Sequence, residues 1–169
     1  MKNIKCLIVG LGNIAVGYDG FIKNKNIFYT HAKSINASKS FTLIGGVDQS
    51  KKKRDIFYKL YGKPIFKKIN ESLSSLKPSL VVLSTPTNTH LHCIKEITKY
   101  KCVKFIICEK PLSNNLLEAK KIVNICKEKK IKLFVNYFRI SEPSSQKLKK
   151  IFLQKKNING KVYYSRGYF

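Results

Sequence analysis

Arginine is nearly missing from this sequence: Arg54, Arg139 and Arg166 are the only three in 169 residues. Acidic residues are scarce as well, nine against 34 basic ones, so the formal charge is +25. Proteins that read bases or clamp phosphates specifically lean on arginine forks. Here the charge is lysine, scattered along almost every segment, which is the pattern of a uniformly basic solvated surface. Salt-sensitive attraction to polyanions is expected, but no specific nucleic-acid partner. Long apolar runs are missing too, and none approaches the ~20 residues of a membrane span. The first apolar run, Ile4–Val9, is shorter than a signal segment and leads into glycines rather than a cleavage site. No membrane partner is expected, and the chain is read as cytoplasmic. The cysteines (6, 93, 102, 108 and 126) are odd in number, never in C-x-x-C spacing, and mostly inside apolar runs. Reduced core cysteines are distributed in this way. The three histidines, His31, His90 and His92, do not join them at ligand spacings, so no metal site is expected.

What the sequence does contain is alternation. Apolar runs predict strands at Ile4–Val9, Phe41–Val47, Leu80–Ser84, Phe105–Cys108 and Leu133–Tyr137. Between them, helical patterns occupy Ser50–Tyr61, His90–Tyr100 and Asn114–Lys130. In the last of these Leu117, Lys121 and Ile125 recur at helical spacing with Ile122 and Cys126 beside them, predicting one apolar face, with Ser113 as N-cap. Solidly apolar strands in series with helices imply right-handed βαβ units and a parallel sheet covered on both faces. The fold class is α/β, a Rossmann-type doubly wound sheet. Val16–Phe28 is less regular: Gly17, Asp19 and Gly20 interrupt the helix that should follow the first strand, and helical character resumes near Tyr29–Ile35. It reads as an insertion or a broken first helix. Further on, Ser144–Gln154 reads as a helix and Lys161–Phe169 as a strand.

The strand ends carry the candidate chemistry. After the first strand, Gly10-Leu11-Gly12-Asn13-Ile14-Ala15 has the G-x-G-x-x-A form. Gly10 serves the tight turn, Gly12 the close approach of backbone to a pyrophosphate, and Ala15 the packing of the helix. A helix beginning near Asn13 and Ile14 offers N–H groups to the phosphates. Asp48 ends the second strand, where a carboxylate can accept both hydroxyls of an adenine ribose and repel a 2′-phosphate. NAD is therefore favoured over NADP, although Lys51, Lys52, Lys53 and Arg54 follow closely. Asp48 as an N-cap for the next helix is the structural alternative. Thr85, Pro86, Asn88 and His90 follow the Leu80–Ser84 strand, with groups that can bond a ligand's edge or cap the next helix. His90 and His92, two apart, cannot share a helical face. After the apolar run to Cys108 comes Glu109-Lys110-Pro111, a charge pair and a φ-locked proline where a parallel sheet binds ligands.

This ordered set resembles the Gfo/Idh/MocA oxidoreductases: Gly10–Ala15, Val47-Asp48, Thr85–His90 and Glu109-Lys110-Pro111, each at a strand end. A fifth segment, Val135-Asn136-Tyr137-Phe138-Arg139 with Pro143, resembles the link between that family's two domains. The resemblance implies an NAD(P)-dependent enzyme acting on a sugar or nucleotide-sugar hydroxyl or carbonyl. It implies that Lys110 stands catalytically beside the nicotinamide, with a cis bond before Pro111. Thr85, Pro86, Asn88 and His90 would then line the cofactor groove beside Glu109, with Asn136 near the nicotinamide ribose and Arg139 on the substrate side. Residues 1–137 would be the dinucleotide-binding domain and 138–169 the beginning of an α+β substrate domain. Members run to about twice this length, so the sequence is expected to represent a truncated form. It would lack the substrate pocket and the catalytic histidine, a role for which none of the three histidines present is expected to substitute. The alternative reading is a catalytically inactive nucleotide-binding or dimerising fragment. Its aromatic strand Lys161–Phe169 would offer an edge for a homo-oligomer.

Overall fold

The protein is described here from a computed structural model, for residues 3–22, 24, 28–138 and 142–154. Six strands form one parallel sheet: β1 (Ile4–Val9), β2 (Phe41–Val47), β3 (Ile65–Phe66), β4 (Leu80–Leu83), β5 (Phe105–Cys108) and β6 (Lys132–Val135). Their spatial order is β3-β2-β1-β4-β5-β6, so the chain winds outward one way from β1 and then the other way from β4. This is the doubly wound topology, with its switch point between β1 and β4. In register, Val9 is paired with both Val47 and Leu83, Leu83 with Cys108, and Cys108 with Val135. Phe66 is paired with Val47 as well, so all six strands stop on one row. The residue after each stop (Gly10, Asp48, Lys67, Ser84, Glu109, Asn136) stands along the same carboxyl edge.

Helices α1 (His31–Ala37), α2 (Lys51–Tyr61), α3 (Ile69–Leu76), α4 (His90–Ile97) and α5 (Leu116–Glu128) cover the sheet. Alternate strand residues divide the core into two layers. Leu7, Val9, Val81, Leu83, Ile106 and Cys108 pack with Leu73, Ile94, Ile97, Ile122 and Cys126 of α3, α4 and α5. On the other face, Cys6, Ile8, Leu43, Leu80 and Val82 pack with Ala32 and Ile35 of α1 and Phe57 of α2. Burial on both faces is why these strands read as unbroken apolar runs. Residues Met1–Asn136 form one compact unit and Tyr137–Phe169 a second. Within the latter, α6 (Pro143–Gln154) begins with proline at its first position, where the missing N–H costs nothing. Arg139 and the predicted strand Lys161–Phe169 lie outside the described residues.

Several expectations are corrected. Ser113 does not cap α5; Asn115 does, its side chain accepting from the Glu118 N–H. The buried stripe of α5 is Ile122 and Cys126, whereas Leu117 is 72% exposed. Ser50, not Asp48, caps α2. β3 and α3 arise in a stretch where no element was predicted. The first crossover is broken as expected: a five-residue π-helical turn (Asn13–Gly17) follows β1, and helix resumes at α1.

Truncating Ile122 to Ala, at a position of α5 without exposure, is expected to cost about 2–5 kcal/mol in urea unfolding. Leu117→Ala is expected to stay within about 0.5 kcal/mol. The reverse ranking would mean that α5 docks through its other face.

Candidate functional site

Gly10 is the tightest point of the carboxyl edge. Its φ is +91°, and a methyl group built on it would stand 2.6 Å from the Ser84 carbonyl oxygen. It is stitched to both neighbouring strands. Its N–H donates to the Val47 carbonyl at 2.8 Å, and the Ser84 hydroxyl donates to the Gly10 carbonyl at 2.8 Å. Gly12, two residues on, is the opposite case: a methyl there would meet nothing within 4 Å. Open space lies over its backbone, where the first N–H groups of the π turn lack helical acceptors.

Asp48 faces this turn. One carboxylate oxygen accepts the Leu11 N–H at 2.8 Å and the other the Ser50 N–H at 2.8 Å. Each oxygen keeps a further lone pair for a ligand hydroxyl. The Lys53 ammonium lies 3.9 Å away, while Arg54 is turned inward, donating to the Asp48 and Gln49 carbonyls. Gly10, Gly12 and Asp48 line a cleft of about 830 Å³ together with Thr85 and Pro86. The cleft also takes in Lys53 and His92, both noted in the sequence, and four residues the sequence did not single out: Lys67, Lys68, Asn70 and Glu96. An open glycine backbone, free N–H directions and a carboxylate across the cleft suit the phosphates and ribose of a dinucleotide.

Other predicted residues stand elsewhere. Asn13, Asn88, Lys110 and Pro111 are exposed and Ile14 half-buried, and none of the five lines that cleft. His90 is fully buried behind the cleft wall. Its Nε2 lies 3.0 Å from the Thr85 carbonyl, and its Nδ1 lies 3.1 Å from the Leu112 carbonyl and 3.3 Å from the Cys108 Sγ. It therefore supports the wall from within. Burial pushes the Cys108 thiol up to about 12, so it carries no thiolate chemistry. The bond before Pro111 is cis. Among the described residues no three potential metal ligands converge.

A model of oxidoreductases with an NAD-binding Rossmann fold matches residues 4–137. The chain belongs to the Gfo/Idh/MocA family. No curated protein matches the sequence. Among solved structures, the WlbA dehydrogenase from Bordetella pertussis, in complex with NADH and UDP-GlcNAcA, is similar at 21% identity and a TM-score of 0.77. That match covers 90% of this chain and 40% of that one. Myo-inositol 2-dehydrogenase from Lactobacillus plantarum is similar at 16% identity and a TM-score of 0.74, with 90% and 42% covered. Scyllo-inositol dehydrogenase from Lactobacillus casei, with bound NAD(H) and scyllo-inositol, gives 19%, 0.74, and again 90% and 42%. At these identities the likeness establishes the fold. The chain spans about two fifths of the length of these relatives.

Within this Gfo/Idh/MocA domain, Glu109 is the most constrained of the edge residues. Its Oε1 accepts from the Asn136 amide at 2.6 Å and pairs with the His31 Nε2 at 2.7 Å. Burial by itself raises the Glu109 carboxyl. The His31 and Asn136 hydrogen bonds, the His31 charge and the Lys110 N–H outweigh it, holding the group below the usual carboxylate value. A lowered folded value means that Glu109 stabilises the fold above the ordinary glutamate range. That contribution is lost as pH falls through the folded value. Glu109→Gln is accordingly expected to cost about 1–3 kcal/mol at neutral pH. The gap from wild type should close as pH drops below about 4 in denaturant titrations. A gap that widened on acidification would contradict this assignment. Gly10→Ala, which sets a methyl against the Ser84 backbone, is expected to lose about 1–3 kcal/mol or to fail to fold.

Proposed function

We propose that this chain is the cofactor-binding part of an NAD-dependent oxidoreductase whose substrate is a polyhydroxylated ring, a sugar or a nucleotide-linked sugar. The observation that carries this reading is the convergence of Gly10, Gly12, Asp48 and Thr85 on one cleft at the switch point of the sheet. The open backbone over Gly12 takes the pyrophosphate, and Asp48 takes the ribose hydroxyls. Asp48 favours NAD, because a 2′-phosphate would bring charge against its carboxylate. Lys53, Lys67 and Lys68 lie around the same cleft and soften that preference, so NADPH binds more weakly but measurably.

Bound NAD supplies a hydride acceptor. The part left to this chain is to hold and orient. Lys110, exposed on the carboxyl edge, hydrogen-bonds the reacting hydroxyl and takes part in moving its proton. Asn136 keeps its amide on Glu109, and its carbonyl is free for the nicotinamide ribose. The ring-shaped substrate class is supported by the similar proteins, one bound to UDP-GlcNAcA and another to scyllo-inositol. Residues beyond Asn136 are assigned to the beginning of a substrate-binding domain, with Arg139 on its substrate side and a cytoplasmic location for the whole. Substrate selection and the proton-transfer partner of Lys110 are assigned to a second domain, so residues 1–137 by themselves bind cofactor without sustaining turnover.

Titration with NADH, followed by nicotinamide fluorescence, is expected to give a Kd between micromolar and millimolar. Asp48→Ala should weaken NADH about tenfold, near 1.4 kcal/mol, and Lys53→Ala should weaken NADPH more than NADH. A flat fluorescence trace at millimolar NADH would overturn the cofactor reading. Robust sugar-dependent NADH formation by this chain alone would overturn the division of labour.

A further inference from the structure

The mechanism leaves one buried charge and one histidine unused, and they are connected. Asp19 has no exposed surface, although it lies in the irregular stretch after the π turn. A carboxylate is costly to bury unless donors surround it. Its donors are the N–H groups of Tyr29 and Thr30 and the Thr30 hydroxyl, all immediately before α1. Thr30 is itself the N-cap of α1, accepting from the Lys33 N–H at 3.4 Å. Lys33 ties the stretch further, its ammonium donating to the Ile22 and Asn24 carbonyls at 2.9 and 3.0 Å. These bonds fix where α1 begins, and the residue that begins it is His31.

The His31 ring reaches across 78 positions of sequence to Glu109. Both side chains are mostly buried, at 15% and 12% exposure, so this is not a solvent-screened surface pair. Glu109 is held in turn by its own N–H, which donates to the Leu83 carbonyl at 2.9 Å, and by the Asn136 amide. Contacts from α1, β4 and the end of β6 thus meet on the residue that precedes the lysine.

We propose that His31 is a positioning residue for Lys110, acting through the Glu109 carboxylate, and that Asp19 sets His31 in place. The interrupted first crossover is then part of the Lys110 site rather than a decoration on it. This inference rests on reading Lys110 as the nicotinamide-side lysine. It differs from a plain structural tie between α1 and β5, which would stabilise the fold and leave the Lys110 side chain unchanged.

The test uses the full chain with its lysines reductively methylated with carbon-13. The Lys110 signal is identified by its loss in Lys110→Arg. In cofactor-free protein, His31→Leu is expected to shift the Lys110 resonance and its titration midpoint, and to weaken NADH at least threefold. His31→Gln can donate from near the position of Nε2, and it should restore both. His31→Asn, one methylene shorter, should not. Asp19→Asn is expected to shift Lys110 in the same direction as His31→Leu, and adding His31→Leu to Glu109→Gln should shift it no further. An unmoved Lys110 signal in folded His31→Leu would overturn the proposal. If that variant does not fold, equal Lys110 signals in His31→Gln and His31→Asn would do so. Loss of NADH binding in the wild type would overturn the cofactor reading instead, while the cofactor-free Lys110 signal would still decide the role of His31.

Discussion

Between the ends of β1 and β4 the backbone runs so close that only a hydrogen fits on Gly10; a methyl would come within 2.6 Å of Ser84. The sheet's two halves separate at this contact. From here the chain crosses to β2 on one side, and β4 leads to β5 on the other. Helices that leave in opposite directions open a crevice above the contact. The six aligned strand stops, the row of edge residues and the cleft all presuppose that β1 and β4 end together. Ser84 secures this arrangement by donating its N–H to Val9 and its hydroxyl to Gly10.

Much of this was legible because parallel strands buried on both faces leave a plain trace. Ile4–Val9, Phe41–Val47 and Phe105–Cys108 are contiguous apolar runs, and the structure assigns them the same limits. Once strand ends are known, a parallel sheet puts them on one edge, which is why scattered residues such as Gly10, Asp48 and Thr85 share a cleft. Where burial was one-sided or brief, the trace disappeared. β3 has two residues and therefore no period. α3 is short, serine-rich and uncapped by any side chain, yet Lys67, Lys68 and Asn70 beside them line the cleft. In α5 the apolar residues 116, 117, 122, 123, 125 and 126 support more than one stripe. The choice of Ile122 and Cys126 depends on neighbours that periodicity does not encode.

The histidines show the same boundary more sharply. His90 carried a motif, but the motif records position in the chain rather than which side of a wall the ring occupies. Its nitrogens face the protein's own carbonyls. His31 carried no signal, because a lone histidine at the start of a short helix has no pattern and its partner is distant in sequence. Only the fold brings it to Glu109. Two of the cleft's spare cations, Lys67 and Lys68, were equally invisible. In a chain with 31 lysines, one more lysine has no contrast with its surroundings.

The broken crossover after β1 has a dynamic consequence. A seven-residue helix is too short to hold itself together in water. α1 persists through its Thr30 cap, the burial of Ala32 and Ile35, and the Asp19 anchor beneath it. The His31–Glu109 bond ties this unit to the end of β5, so opening it also breaks a contact on the carboxyl edge. Short helices held by few buried apolar contacts belong to the low-stability end of a fold. A ligand whose binding requires α1 to be closed would still that helix on arrival. Some of the gross binding energy is then spent on order within the protein.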